Sequence, residues 1–275
     1  MSNNITFVIF TYNEVSRIEN VIKNFKNYGN ILLADDNSND GTLDIARLYN
    51  CDILLRTKKY DFIENQHLLD LIYEKITTDW IYWAYADEMV DKITLDKIIS
   101  IINDDRYDII NIDRKNYYYG KFCNNLYHSR MNRIFKKHAI NFEGNRIHGF
   151  GKPTVNADKI YILKDNYFVH HFISYTSSDY LNVVNRYTDS ESPFKRQLSP
   201  VVLFFYLLYK AIFVHYIKEK GYKLGFTGVA FIEIMMFYTM TRNFKLYERE
   251  NELTKKSIEK TNTEYRNDLL INFNQ

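Results

Sequence analysis

Residues 35–42 read DDNSNDGT, and this stretch decides the fold. It follows the apolar run NILLA at 30–34, and a helical pattern covers 41–50. Gly41 allows a sharp backbone turn, and Asp40 or Thr42 can cap the helix that starts there. The stretch therefore predicts a strand end, an acidic turn and a helix start in direct succession.

The pattern on either side of this turn alternates between strands and helices. Apolar runs predict strands at 5–10, 30–35, 52–56 and 80–85, and helical periodicity appears at 14–28, 41–50 and 68–76. Alternation with short connections is typical of a parallel α/β sheet that has helices on both faces. Ligands bind beyond the carboxyl ends of the strands in such sheets.

The rest of the chain has a different character. Residues 107–172 are strand-like and irregular, which favours loops and short strands. Two apolar segments follow at 201–217 and 224–240, and Lys210, His215 and Glu233 interrupt them. Neither reaches the roughly 20 uninterrupted apolar residues of a membrane span. We expect a catalytic domain at 1–195 and a helical appendage at 196–275 that packs as core or lies in a membrane interface.

Charge and cysteine content narrow the classes of function. The net charge is +2, but residues 195–275 hold 13 Lys and Arg against 8 Asp and Glu, a local net of +5. This basic excess suits an anionic membrane surface, whereas no basic–aromatic stripe favours nucleic acid. The two cysteines have no metal-ligand spacing, and the N-terminus lacks the basic start of a secretory signal. We expect a cytoplasmic protein, peripheral at the inner face of a membrane.

Three acidic loops follow three of the predicted strands. They are TYNE at 11–14, DDNSNDGT at 35–42 and ADE at 86–88, and a parallel sheet would open all three onto one edge. Carboxylates there can hold a divalent cation, which neutralises a departing diphosphate. The pattern therefore favours transfer chemistry on a nucleotide-activated substrate.

The order TYNE, DDNSNDGT and ADE resembles the family 2 glycosyltransferases of the GT-A fold. His170-His171, followed by Asp179-Tyr180-Leu181 and Asn185-Arg186-Tyr187, is similar to a narrower group, the lipopolysaccharide-core glucosyltransferase-like proteins. The resemblance implies a mixed α/β sheet and inverting transfer of a hexose. The donor would be a nucleotide sugar of the UDP-sugar type, and the acceptor would be a hydroxyl of a glycan or of a lipid-linked molecule. The cofactor would be Mg²⁺ or Mn²⁺.

The resemblance also implies roles for individual residues. Donor contacts fall on five positions, and metal contacts on two. Thr11 and Glu14 would lie by the base, Asp35 and Asp36 on the uridine or ribose side, and Arg186 would clamp the diphosphate. Asp87 would be the metal-facing catalytic carboxylate, and His171 would complete the metal site. Glu143 is a candidate for the carboxylate on the acceptor side.

Departures from the group keep other readings open. Tyr85 stands where the group carries the first Asp of Asp-Ala-Asp-Glu, and Gly149 follows His148 where the group often has Glu. A non-catalytic carbohydrate- or membrane-binding protein on a decayed transferase scaffold is one alternative. A nucleotidyltransferase is the other, although TYNE stands where a glycine-rich basic loop would be expected.

Overall fold

The computed structural model describes residues 4–56, 64–145, 149–164, 166–173, 176–190 and 199–273. The described chain forms two compact units, Met1–Tyr175 and Thr176–Gln275. This division falls before the boundary expected at residue 195, because helix α5 (Ser177–Ser190) packs against helix α7 (Phe226–Glu250) within the second unit.

The first unit is built around one large mixed sheet. Its strands run in the order β3-β2-β1-β4-β8-β6-β12-β5, with β7 and β11 also paired to β6, and β9 and β10 form a separate two-stranded sheet. The strands are β1 (Ile5–Thr11), β2 (Asn30–Asp35), β3 (Asp52–Leu55), β4 (Trp80–Tyr85), β5 (Glu88–Val90), β6 (Ile109–Tyr118), β7 (Lys121–Phe122), β8 (Ser129–Lys136), β9 (Ile140–Asn141), β10 (Lys152–Pro153), β11 (Ile160–Ile162) and β12 (Phe168–Phe172).

The first four strands confirm the predicted parallel arrangement. β3, β2, β1 and β4 are parallel, so their carboxyl ends share one edge. The sheet then becomes mixed, because β8 is antiparallel to both of its neighbours and β5 is antiparallel to β12. The irregular region at 107–172 thus supplies strands to the main sheet itself as well as loops.

Helices cover both faces of this sheet, as expected. One buried cluster contains residues of three helices, α1 (Ile18–Phe25), α2 (Thr42–Leu48) and α4 (Lys92–Asp104). The cluster on the opposite face contains residues of α3 (Gln66–Lys75). Alternate strand residues feed the two clusters, since successive side chains of a strand point to opposite faces. The core therefore lies in two layers that hold the strand ends in place.

The second unit is helical. It contains α5, then α6 (Pro200–Tyr209), which continues as π-helical turns over Lys210–Lys218, a 3₁₀ turn at Gly221–Leu224, α7, and α8 (Lys255–Phe273). Another 3₁₀ turn, Ala157–Lys159, belongs to the first unit. The segment Pro200–Lys218 has the length and composition of a membrane-crossing helix, a property that core helices of soluble proteins share.

Candidate functional site

The carboxylate of Asp35 is fully buried at the end of β2. Its Oδ2 accepts hydrogen bonds from the hydroxyls of Thr11 (2.7 Å) and Ser38 (2.6 Å), and its Oδ1 accepts one from the Ser38 backbone N–H (2.7 Å). The backbone N–H of Asp36 donates to the Thr11 carbonyl at 2.9 Å. Asp35 therefore fastens the ends of β1 and β2 to each other and orders the DDNSNDGT loop.

The turn into α2 has the predicted form. Gly41 adopts the left-handed region at φ 96°, and Thr42 is the first residue of the helix. The Asp40 carboxylate accepts hydrogen bonds from the Thr42 N–H and hydroxyl and from the Val15 N–H. Burial works to raise the pKa of Asp40, but these hydrogen bonds outweigh it and lower the pKa. The acidic turn is thus also bonded to the loop after β1.

Glu14, in the loop after β1, is paired with Arg17. The Arg17 Nη2 donates to Glu14 Oε1 at 2.8 Å, and the Arg17 Nε also contacts this carboxylate. The Glu14 backbone N–H donates to the Thr42 hydroxyl at 2.8 Å. The sequence prediction placed Glu14 by the base but did not foresee Arg17, which brings a positive charge to this edge.

Asp87 and His171 meet at the end of β4. The antiparallel pairing of β12 with β5 sets His171 opposite Glu88, and His171 Nε2 lies 3.3 Å from Asp87 Oδ2. Burial works to raise the pKa of Asp87, but the His171 ring and then the guanidinium groups of Arg17 and Arg114 outweigh it and lower the pKa. Asp87 is therefore ionised at neutral pH, and the predicted pair is assembled.

Asn116 fixes which nitrogen of His171 carries the proton. The Asn116 Nδ2 donates to the carbonyls of Leu126 (3.4 Å) and Tyr127 (2.8 Å), so its Oδ1 is the atom that faces the ring. His171 Nδ1 lies 2.8 Å from this oxygen and must donate to it. Nε2, which faces the Asp87 carboxylate, is then protonated only in the charged ring, the form that lowers the pKa of Asp87; in the neutral ring Nε2 presents a lone pair to it. Sequence reasoning missed Asn116, since no local pattern distinguishes it.

This arrangement fits a divalent cation. Asp87, Glu88 and His171 can bring one ligand atom each within 4.8 Å of one another. A lone pair and a carboxylate oxygen at 3.3 Å repel each other unless a proton or a metal ion lies between them. Carboxylate and imidazole ligands suit Mn²⁺, and carboxylates suit Mg²⁺. Asp87 and His171 are the residues that would hold the ion.

Glu88 is otherwise engaged. It is buried, its Oε1 pairs with the fully buried Arg133 and lies 3.5 Å from Arg114 Nη1, and its Oε2 accepts from the Tyr85 backbone N–H at 3.3 Å. A buried carboxylate bonded in this way is fixed in position. Glu88 therefore orients the loop that carries Asp87.

Tyr85 belongs to a polar cluster with Glu64 and Arg133. Its hydroxyl donates to Glu64 Oε1 at 3.1 Å, and its ring lies 5.0 Å from the Arg133 guanidinium. Burial raises the pKa of both Tyr85 and Glu64, although Arg56 and Arg133 oppose the rise at Glu64. A packed phenol thus stands at the position where the related group carries Asp.

Glu143 lies in the turn after β9, with an exposed side chain. Its backbone N–H donates to Asn141 Oδ1 at 2.6 Å. Within the described residues no contact ties it to Asp87, so its catalytic role stays a prediction. His148 lies outside the described residues.

Asp36 and Arg186 complete the predicted set. Asp36 is half-buried beside Asp35 at the end of β2. Arg186 is on α5, in the second unit, and its guanidinium lies 5.5 Å from the Tyr187 ring. Its role at the diphosphate stays a prediction.

The fold and the polar residues at the carboxyl ends of its parallel strands together define an α/β protein. In such proteins, the loops that bind ligands follow the parallel strands. The glycosyl transferase family 2 profile matches residues 6–156, more than half of the chain, and the chain belongs to that family. This confirms the expected family and the GT-A class of mixed sheet.

Comparisons with individual proteins are more limited. The SPbeta prophage-derived glycosyltransferase SunS of Bacillus subtilis (strain 168) is 31% identical over 100 residues, which is 35% of this chain and 23% of the relative. SunS of Bacillus phage SPbeta matches to the same extent. The chain thus aligns with less than a quarter of the length of these relatives.

Among solved structures, S. aureus TarS 1-349 in complex with UDP has a TM-score of 0.43 and 12% identity, covering 93% of both chains. The mannosyltransferase PcManGT from Pyrobaculum calidifontis, in complex with GDP-Man and Mn²⁺, has a TM-score of 0.42 and 12% identity, covering 96% of this chain and 81% of the other. At these values the likeness says nothing about donor or acceptor.

Proposed function

We propose that this protein transfers a hexose from a UDP-sugar to a hydroxyl of a glycan or lipid-linked acceptor, with inversion and with the help of Mg²⁺ or Mn²⁺. The observation that carries the proposal is the Asp87–His171 pair, in which an ionised carboxylate faces an imidazole nitrogen at 3.3 Å. It lies at the sheet edge where Asp35 and Thr11 also end their strands.

Each side chain at this edge has a defined task in the proposal. Asp87 and His171 hold the cation, which when bound stabilises the charge that develops on the departing diphosphate. Arg17 and Arg114 lie close enough to Asp87 to lower its pKa, so they add positive charge where the phosphates would lie. Asp35 and Thr11 hold the loops that would receive the uridine.

The acceptor side is assigned to Glu143. A base must take the proton of the acceptor hydroxyl as the new bond forms. The exposed carboxylate of Glu143 is available to take this proton. Arg186 is proposed as an additional diphosphate contact. Arg186 lies in the stretch Asn185-Arg186-Tyr187 that resembles lipopolysaccharide-core transferases. Glu143 is proposed in place of the carboxylate that this group often has where the chain has Gly149.

A second candidate is a non-catalytic sugar-binding role on the same scaffold. The observation in its favour is Tyr85, which presents no carboxylate where the related group carries Asp, and which is bonded to Glu64 instead. Binding of a nucleotide sugar without turnover would distinguish this role from catalysis.

The test is calorimetry of UDP binding with Mn²⁺ and with a chelator, followed by UDP-sugar hydrolysis assays. We expect UDP to bind more tightly with Mn²⁺ and the UDP-sugar to be hydrolysed slowly in the absence of acceptor. Equal binding with the chelator would contradict the metal assignment. Metal-dependent binding with neither hydrolysis nor transfer to any acceptor offered would favour the non-catalytic role.

A further inference from the structure

The segment Pro200–Lys218 exposes an unusual amount of apolar surface. Ten large apolar side chains on it are exposed, including Val201 at 66% and Phe205 at 64%. We call this the apolar helix surface, and its members are Val201, Val202, Phe204, Phe205, Tyr206, Tyr209, Ile212, Phe213, Tyr216 and Ile217. Soluble proteins rarely expose a contiguous apolar patch of this kind unless something covers it.

The buried side of the same segment is narrow. Leu207, Ala211 and His215 recur every four positions and are the buried residues of this helix, which packs against α7. His215 Nδ1 lies 2.8 Å from Glu219 Oε2, so a polar pair lies on the packed side. A helix that faced water would show the opposite pattern, with its apolar stripe buried and its polar face outward. Within the described residues of the second unit, nothing covers the apolar helix surface.

Basic and aromatic residues lie at the end of this surface. Lys218, Lys220 and Lys223 are exposed around the 3₁₀ turn that leads to α7, and Phe226 is 81% exposed at the start of α7. The rings of Tyr216 and Tyr222 contact each other across this turn, with centroids 5.9 Å apart. Lysines beside tyrosines and phenylalanine are the residues that anchor a helix at the boundary between headgroups and acyl chains.

The turn holds these residues in one arrangement. Gly221 and Gly228 approach so closely that a Cβ on Gly228 would overlap the Gly221 carbonyl oxygen. This close approach packs the 3₁₀ turn against the start of α7, so the anchoring residues are presented by a packed turn.

We propose that the apolar helix surface lies in the interface of a bilayer with anionic headgroups and does not cross the bilayer. The three lysines of the turn favour anionic lipid, and the same lysines would repel one another across an interface between two copies of the chain. A crossing hairpin is disfavoured because α7 exposes Glu233 among its apolar residues. This inference does not rest on the UDP-sugar chemistry.

Flotation with vesicles tests the proposal on the full chain. We expect the protein to float with phosphatidylcholine vesicles that contain phosphatidylglycerol at low salt, and to float far less with phosphatidylcholine alone. High salt should release it, because the screening length falls from about 10 Å at 0.1 M to about 3 Å at 1 M. Failure to float at low salt, with a folded protein, would overturn the proposal, and so would self-association through this surface without lipid. Resistance to both high salt and alkaline washing would overturn the interfacial placement in favour of a span.

Two pairs of variants distinguish binding through this surface from non-specific binding to vesicles. Replacing Lys218, Lys220 and Lys223 with Glu should lower partitioning at least about tenfold, while the same change at Lys255, Lys256 and Lys260 on α8 should have little effect. Phe205→Ser with Phe213→Ser should also weaken flotation, unlike Leu269→Ser with Leu270→Ser, whose leucines are similarly exposed. Equal losses in the control variants would contradict the proposal. UDP binding, measured on each variant, reports the proposed function separately.

Discussion

His171 and Asn116 are adjacent on the parallel strands β12 and β6, with His171 Nδ1 2.8 Å from Asn116 Oδ1. The bond leaves the other ring nitrogen to face Asp87. Replacing Asn116 with Ala frees the ring to rotate and to change its protonated nitrogen. We expect Mn²⁺ affinity to fall by about 10–100-fold, the usual cost of losing such an outer contact. Calorimetric titration with Mn²⁺ measures it.

The control for this change is Asn111→Ala. Asn111 lies on the same strand, and its Nδ2 donates a hydrogen bond to Asn132 Oδ1 at 2.7 Å, which the alanine variant would also lose. Within the described residues, Asn111 does not contact His171. Unchanged Mn²⁺ affinity in Asn116→Ala, with thermal unfolding similar to that of Asn111→Ala, would show that Asn116 does not position a metal ligand.

Asp87→Asn should abolish turnover while leaving the fold intact. The amide keeps the size of the side chain but removes the negative charge that holds the cation, so leaving-group stabilisation worth several kcal/mol is lost. Asp79→Asn, at the opposite end of β4, is the matched control and should keep turnover. Near wild-type activity in Asp87→Asn would exclude Asp87 as the essential ligand.

Asp35→Asn should lower stability as well as raise the KM for the donor. An amide cannot accept from all three donors that now point at the buried carboxylate, so we expect a loss of about 1–3 kcal/mol in the free energy of unfolding. Urea denaturation and donor saturation kinetics measure the two effects. Asp36→Asn, next to it and half-buried, should unfold like the wild type; if both variants unfold alike, the buried network does not stabilise this edge.

Glu64→Gln should stabilise the protein increasingly as pH rises. Burial raises the folded-state pKa of Glu64, so its contribution is fully present below the unfolded-state pKa, near 4.3, and is lost as pH rises through the folded-state value. Glutamine does not ionise, so the variant escapes this loss and still accepts from Tyr85. Each unit of pKa rise is worth about 1.4 kcal/mol. Urea melts of both proteins at several pH values between 4 and 8 measure the difference, and a difference that shrinks with pH would contradict the assignment.

The first half of the first unit was predictable because its signals are local. Strand and helix periodicity lie within short windows. The DDNSNDGT turn carries its own left-handed glycine, and its Asp40 bonds the first helical residue, Thr42. Once β1, β2 and β4 are parallel, their ends must share an edge, so the neighbourhood of Thr11, Asp35 and Asp87 follows from topology alone.

The partners of these residues were not predictable, because they depend on register between distant strands. Asn116 is 55 residues from His171, and Arg133 is 45 residues from Glu88. A shift of one residue between β6 and β12 would turn Asn116 to the other face. Nothing within a window around Arg133 indicates that its guanidinium will be completely buried against Glu88.

The buried pair of Arg133 and Glu88 has a consequence for how this sequence can change. Loss of either partner alone leaves an unpaired charge in the core, which lowers the stability of the fold by about 3–5 kcal/mol. Exchanging both partners for apolar residues can leave the stability unchanged. Positions 88 and 133 should therefore covary among related sequences, with single replacements rare at either one. An alignment of relatives deep enough for covariation analysis would detect this coupling between the loop that carries Asp87 and a strand that lies far from it along the chain.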